Sequence, residues 1–254
     1  MASGRLGKIE FQLLTFHQKI SGAVLGSQPY SRIIHHQWIM DSILLKFARQ
    51  QLEKIPTNSS ILDVGCGSGP YWELRPDLKW IGLDIYPTTH THYVVDANGS
   101  FPIQNASFDY VLCTQVLEHA EEPQITIEEI GRVLKDDGYC MINMPFIYPF
   151  HGTPHDYRRW TTFELIKACN GYEIVEVGTI GGIGASLITL WLNFCEYKLM
   201  SSTAGKIIKV LFAPLFWIQN VFFNIVGLII DRLDSTESFP TNTYIVFKKV
   251  PAQT

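Results

Sequence analysis

Short apolar runs alternate with amphipathic stretches over the first two thirds of the chain, and this alternation predicts an α/β fold. Ile34, Trp38, Ile39, Ile43, Phe47 and Leu52 recur at helical spacing between Ser31 and Leu52, and Pro56 to Ser59 break the pattern. Ile61, Leu62 and Val64 then read as a buried strand. Trp80 to Leu83 reads as a second, ending at Asp84, Tyr93 to Val95 as a third, ending at Asp96, and Phe108 to Cys113 as a fourth. Between the first two, Tyr71 to Leu78 contains Pro76 and leaves room for only a short helix. Pro123 to Leu134 carries Ile130, Val133 and Leu134 on one helical face, Lys135 to Gly138 reads as its exit turn, and Tyr139 to Asn143 as a fifth strand. Thr161 to Glu164 forms a capping box for a helix to Cys169, which Asn170-Gly171 closes. Tyr172 to Val177 and Thr243 to Lys248 complete seven strands. Strands that alternate with helices predict a largely parallel sheet with ligands at its carboxyl edge.

Three stretches depart from the pattern. Residues 1–30 hold glycines at 4, 7, 22 and 26 and read as a loosely structured arm. Pro145 to Trp160 is polar and aromatic, holds three prolines, and reads as a structured loop. Gly181 to Asn242 is far longer than a usual connection and contains two uncharged runs, Ile180 to Cys195 and Val210 to Ile230. The predicted organisation is one domain: an arm and helix at 1–54, a core at 55–180, an apolar helical insertion at 181–242, and the last strand and tail at 243–254. The second uncharged run is long enough to span a bilayer, although Pro214, Gln219, Asn220 and Asn224 interrupt it. Three readings of the insertion stay open: a lid over a hydrophobic acceptor, helices in or on a membrane with contact through 182–230, and an oligomer interface.

Composition narrows the functional classes. The net charge of −4 gives no global basic field, so no nucleic-acid partner is expected. The five cysteines are scattered without C-x-x-C spacing, which argues against a disulfide framework or a zinc site and favours a reducing compartment. Met1 to Glu10 lacks the pattern of a secretory signal, so a cytoplasmic location, with membrane association permitted, is expected. The mean hydropathy of +0.09 is high for a soluble protein and owes most to the insertion.

The candidate chemistry centres on S-I-L-D-V-G-C-G-S-G-P, residues 60–70, where Gly65, Gly67 and Gly69 let backbone amides approach a ligand. Asp84 lies about 20 residues further on, where an α/β nucleotide fold places a carboxylate for ribose hydroxyls. Five motifs then coincide in order: D-V-G-C-G-S-G at 63–69, G-L-D-I at 82–85, Asp96-Ala97, F-D-Y-V-L-C-T-Q-V-L-E-H at 108–119, and E-I-G-R-V-L-K-D-D-G at 129–138. In this the chain resembles the class I S-adenosylmethionine-dependent methyltransferases of the small-molecule group. The loop at 145–161 is also similar to that of methyltransferases found beside surface-glycan enzymes.

The resemblance implies a Rossmann-like, seven-stranded, mostly parallel sheet with helices on both faces and an antiparallel last strand. It implies S-adenosylmethionine as cofactor, with Gly65, Cys66, Gly67 and Gly69 around its methionine part and Asp63 supporting the loop or the amino group. Asp84 would hold the ribose hydroxyls, Ile85 would cover the adenine, Asp96 and Ala97 would face the adenine amino group, and Thr114 or Gln115 would lie near the methionine moiety. His119, His151 and His155 are the candidate catalytic groups. Arg158 and Arg159 offer planar donor forks to an anionic acceptor group. The acceptor is expected to be a small molecule, hydrophobic or linked to a lipid or glycan. Glu118-His119 with a later histidine also resembles the metal site of small-RNA 3′-terminal 2′-O-methyltransferases. Gln115 stands where that site has an acid, so no metal is expected and that enzyme stays an alternative, beside a non-catalytic binding protein on the same fold.

Overall fold

The computed structural model describes residues 32–97 and 99–251; the expected arm at 1–30 lies outside the described residues. Helix α1 (Trp38–Leu52) precedes β1 (Ser60–Val64), a 3₁₀ turn at Trp72–Leu74, β2 (Lys79–Asp84), β3 (Tyr93–Val94) and β4 (Phe108–Thr114). Then follow α2 (Pro123–Val133), β5 (Leu134–Pro145), α3 (Thr162–Ala168), β6 (Glu173–Ile180), α4 (Ile183–Met200), α5 (Thr203–Leu211), α6 (Ala213–Leu233) and β7 (Asn242–Lys248). The strands form one sheet in the order β3-β2-β1-β4-β5-β7-β6. All neighbours are parallel except β7, which runs antiparallel to both β5 and β6. This is the seven-stranded α/β architecture that the sequence predicts.

The described residues fall into two compact units. The sheet unit comprises residues 45–180 and those from Thr241 onward. Leu62, Val111, Ile142, Ile245 and Phe247 are buried in its core, as expected for strands covered on both faces. Alternation along β7 shows what covers each face. Tyr244 meets Phe47 of α1 on one, with ring centroids 4.4 Å apart, while Phe247 stacks at 4.3 Å on Tyr172 on the other. The Tyr172 hydroxyl donates to the Ile127 carbonyl of α2 at 3.3 Å, which ties that helix to the second face.

Two boundaries differ from the sequence reading for identifiable reasons. The expected exit turn Lys135 to Gly138 lies inside β5 as a bulge, because Phe108 pairs with Leu134 and Tyr110 with Tyr139. The bulge is satisfied from outside: Asp137 donates its amide to the Lys249 carbonyl at 3.0 Å, and Lys249 donates to that of Gly138 at 2.9 Å. At the other end, β6 continues to Ile180 because β7 pairs with it as far as Asn242.

The second unit joins the described residues up to Leu44 with Gly181–Pro240. Helices α4 and α6 approach closely where both have glycine: a Cβ on Gly184 would strike the Gly227 carbonyl, and one on Gly227 would lie 3.0 Å from Ile188 Cγ1. The end of α6 caps the start of α4, as Asp231 accepts from the Ala185 amide at 2.8 Å and Asp234 from that of Ile183 at 2.9 Å. Pro214 sits in the first turn of α6 and does not interrupt it. Asn220 and Asn224 donate inward to the carbonyls of Ile34, Ile33 and His35 at 2.9, 2.8 and 3.1 Å, so they do not break its apolar outer face. Leu215, Ile218, Phe222, Ile229 and Leu233 stand exposed along that face. The helix is long and apolar enough to cross a membrane, yet only 17% of its most apolar window is buried.

This unit also holds groups whose titration opposes burial. Burial pushes the Asp41 carboxyl up to about 7, and its Oδ2 has no hydrogen-bond partner. Burial, with the neighbouring charge of His36 second, lowers His35 to about 4; burial and the charge of Lys209 lower His36 to about 4. An acid with a raised native pKa stabilises least where it is ionised, so Asp41 costs stability progressively as pH rises from 3.8 to about 7. The histidines act oppositely, losing stability as pH falls from 6.5 to about 4. Asp41→Asn therefore isolates the first effect: its melting temperature should exceed wild type by a margin that grows from pH 4 to pH 7 and then levels. A margin independent of pH, measured by thermal denaturation across that range, would show that Asp41 is not buried as described.

Candidate functional site

Parallel register builds the first half of the site. Asp63 pairs with Gly82 and Val64 with Leu83, so the chain leaving β1 emerges beside the end of β2. Gly65 and Cys66 both donate to the Leu83 carbonyl, at 2.7 and 3.2 Å, and Gly67 donates its amide to Asp84 Oδ2 at 2.8 Å. The turn requires glycine for two separate reasons. Gly65 has φ +69° and a Cβ there would strike Val116, whereas Gly67 has φ +49° and a Cβ would meet nothing within 4 Å. The backbone at Gly67 therefore borders open space with a carboxylate held against it. This fits a ligand that offers hydroxyls to Asp84 and an extended polar group to the turn.

The other residues expected around a cofactor divide into supports and open positions. Asp63 is buried and accepts from Trp72 Nε1 at 2.8 Å. Burial, reinforced by the Asp84 charge and opposed by the Trp72 bond, pushes its carboxyl up to about 7. It supports the turn from beneath. Cys66 is also buried, its Sγ 3.7 Å from Thr91 Oγ1, and burial raises its thiol pKa. Ile85, Asp96 and Ala97 are exposed beyond the ends of β2 and β3. Thr114 is buried at the end of β4, and Gln115, with φ +57°, donates its side-chain amide to Asn143 Oδ1 at 2.7 Å.

The second half is made by the loop after β5, which clasps the segment after β4. Tyr157 donates its amide to the Glu118 carbonyl at 2.8 Å. Arg158 donates to the carbonyls of Leu117, Ala120 and Glu121. His119 Nδ1 lies 2.5 Å from the His155 carbonyl. Gly152, at φ +61°, brings the loop onto the His119 ring, since a Cβ would sit 2.8 Å from Cε1. The anion-gripping role expected of the two arginines is not how the structure uses them: Arg158 holds these carbonyls, and Arg159 pairs with Asp156 at 2.5 and 2.9 Å. That pairing holds the Asp156 carboxyl down at about 2.

Of the three candidate histidines, the structure brings two together. His119 and His151 meet edge to face with ring centroids 4.7 Å apart, and their Nε2 atoms lie 3.7 and 3.6 Å from Glu118 Oε1. The Glu118 carboxylate raises the His151 pKa, against a smaller opposing effect of burial. His155 joins through its carbonyl only, while its ring turns to the Tyr157 hydroxyl at 2.8 Å.

Sequence reasoning missed several contributors. Trp72, which fixes Asp63, carries no motif. Thr88 donates to the Gly67 carbonyl at 2.7 Å, and the His90 ring fills the space a Cβ on Gly69 would take, at 2.7 Å. Glu118 was legible as part of V-L-E-H, but its complete burial was not.

Among known proteins, a stretch of 104 residues is 34% identical to the tRNA (carboxymethyluridine(34)-5-O)-methyltransferase of Arabidopsis thaliana. It covers 37% of this chain and 26% of that protein, so this chain matches only about a quarter of the relative's length. Two solved structures share the fold at low identity. One is the [4+2]-cyclase SpnF, with TM-score 0.54, 17% identity, and coverage of 82% of this chain and 80% of that one. The other is phosphoethanolamine N-methyltransferase 2 of Haemonchus contortus, in complex with S-adenosyl-L-methionine, with TM-score 0.52, 16% identity, and coverage of 90% of this chain and 59% of that one. A cyclase among the neighbours shows that this fold hosts more than one chemistry, so the assignment rests on the family match. Residues 34–187, more than half of the sequence, match the family described as methyltransferase domain, and the chain belongs to that family, on the fold of the class I S-adenosylmethionine-dependent methyltransferases.

Proposed function

We propose that this chain binds S-adenosylmethionine on the Gly65–Gly69 turn and methylates a hydrophobic, lipid-type acceptor at a membrane surface. When bound, the cofactor supplies an already activated sulfonium methyl group, so the protein's contribution is placement. Asp84 keeps acceptor capacity for ribose hydroxyls after binding the amides of Gly67 and Tyr86 at 2.8 and 3.0 Å. The exposed Ile85 and Asp96 offer an apolar cover and an acceptor for an adenine. The loop from Pro145 to Trp160, fastened to the Leu117–Glu121 segment, supplies the polar groups on the acceptor side.

The observation that carries the acceptor class is the apolar face of α6, which stands exposed among the described residues. A face of this extent stays in water only at a large hydrophobic penalty. Aromatic and aliphatic side chains of α4 continue it, with Leu187 50%, Trp191 44% and Phe194 57% exposed. A helix in contact with lipid tails has its backbone satisfied internally and its apolar side chains outward, which is the pattern here. A second reading is favoured by the Arabidopsis relative, whose name specifies tRNA. It weighs against excluding nucleic acid as a partner.

Three measurements check this. Calorimetry with S-adenosylmethionine should show Asp84→Asn binding about 10- to 100-fold more weakly than wild type, the range for hydrogen bonds to a charged group; unchanged affinity would remove Asp84 from the site. The full chain should co-sediment with phospholipid vesicles, and Ile218→Glu with Phe222→Glu should abolish that while leaving cofactor affinity intact. Release of S-adenosylhomocysteine should be stimulated by a membrane-lipid extract and not by total tRNA. The reverse result would establish the nucleic-acid reading.

A further inference from the structure

Beside the clasped loop, three atoms converge that are all acceptors when both histidines are neutral. A carbonyl oxygen can only accept, so the contact of His119 Nδ1 with the His155 carbonyl at 2.5 Å puts the proton on Nδ1. His151 Nδ1 likewise faces acceptors only, the Pro149 carbonyl at 3.3 Å and Asp156 Oδ2 at 3.5 Å. In both neutral rings the lone pair is then on Nε2, and both Nε2 atoms point at Glu118 Oε1, 3.7 and 3.6 Å away. Glu118 is fully buried, and neither of its carboxylate oxygens accepts a hydrogen bond among the described residues. A buried carboxylate in that condition is strongly unfavourable unless a positive charge completes it.

We propose that Glu118, His119 and His151 bind a divalent transition-metal ion of the zinc or cobalt type, leaving further coordination positions open. One ligand atom from each residue lies within 4.8 Å of the others. Atoms each bound at about 2.0–2.2 Å to a shared ion are about 3–3.5 Å apart, so the two Glu118 contacts, at 3.7 and 3.6 Å, are nearly at that spacing, while the remaining spacing, up to 4.8 Å, has to close further on binding. Two imidazoles and one carboxylate, without thiolate, select ions of this class over calcium or magnesium. The surroundings are those of a metal site rather than of a free histidine pair. Each ligand imidazole has its other nitrogen fixed, His119 by a backbone carbonyl and His151 by a carbonyl and a carboxylate, and Arg159 in turn anchors Asp156.

The sequence points away from a metal because Gln115 occupies the place of an acid. In the structure that position is not a member of the cluster, since the Gln115 amide is turned to Asn143, and Glu118, His119 and His151 converge without it. The site adjoins the glycine turn: Val116, on which Gly65 packs, is two residues before Glu118. Ion binding at the trio does not depend on methyl transfer or on the acceptor.

The full-length protein, stripped with chelator and titrated with Co²⁺ alone, should develop visible ligand-field bands that saturate at one equivalent and are displaced by Zn²⁺. Glu118→Gln, His119→Ala and His151→Ala should each weaken Co²⁺ binding at least about tenfold, since loss even of a group that only supports a ligand costs about 10- to 100-fold. Calorimetry with S-adenosylmethionine on the same samples reports whether each variant is folded. If Glu118→Gln does not fold, the two histidine variants, whose side chains are partly exposed, decide the question. Absence of bands in the wild type, or variants that bind Co²⁺ like wild type, would overturn the proposal and leave a shared proton between His151 and Glu118. Loss of cofactor binding in the wild type with Co²⁺ bands intact would instead refute the cofactor assignment alone.

Discussion

The hydrogen bond from the Gly67 amide to the Asp84 carboxylate is the contact on which the sheet unit's site depends. It exists because two parallel strands are paired in the one register that ends them side by side, Val64 against Leu83. A slip by one residue would turn Asp84 to the other face and leave the glycine amides without an acceptor. The strand pairing, the left-handed turn and the carboxylate are thus one device. Trp72 and Asp63 brace it from below, and Thr88 ties the next connection to the Gly67 carbonyl.

The second device is built differently. Nothing in β4 or β5 alone brings Glu118, His119 and His151 together; the loop between Pro145 and Trp160 does so by donating to successive backbone carbonyls of the 117–121 segment. Carbonyls left over where a strand ends need donors, and a guanidinium supplies several from one residue. Arg158 therefore has a structural task that fixes where the histidines meet. The same arrangement buries Glu118 completely, which makes its charge a local problem that a bound cation would resolve.

Periodicity made the sheet legible, because a buried parallel strand is an uninterrupted apolar run and its end is marked by glycine or acid. The glycine turn and Asp84 were legible for the same reason. The bulge at Lys135 to Gly138 was not, since K-D-D-G is also a good turn and only the tail of β7, more than 100 residues later, supplies the partners that keep it in the strand. What the arginines reach is not legible, because a sequence shows a donor fork and not its partners. Gln115 pointed away from a metal, and the geometry that points toward one depends on contacts between residues distant in the chain.

The insertion shows how polar residues in an apolar helix can mislead. Asn220 and Asn224 look like breaks in a hydrophobic run, yet both face inward and satisfy the carbonyls of residues 33 to 35. Asp231 and Asp234 look like the polar end of a span, yet they cap the first turn of α4. Polarity is thus concentrated on the inner side and at the ends, and apolar surface on the outer side. A helix that needed only to close a soluble core would bury its leucines and phenylalanines and expose its asparagines. The inverse distribution on α6, held in place by the glycine contact between Gly184 and Gly227, is the feature on which the proposed lipid-type acceptor rests.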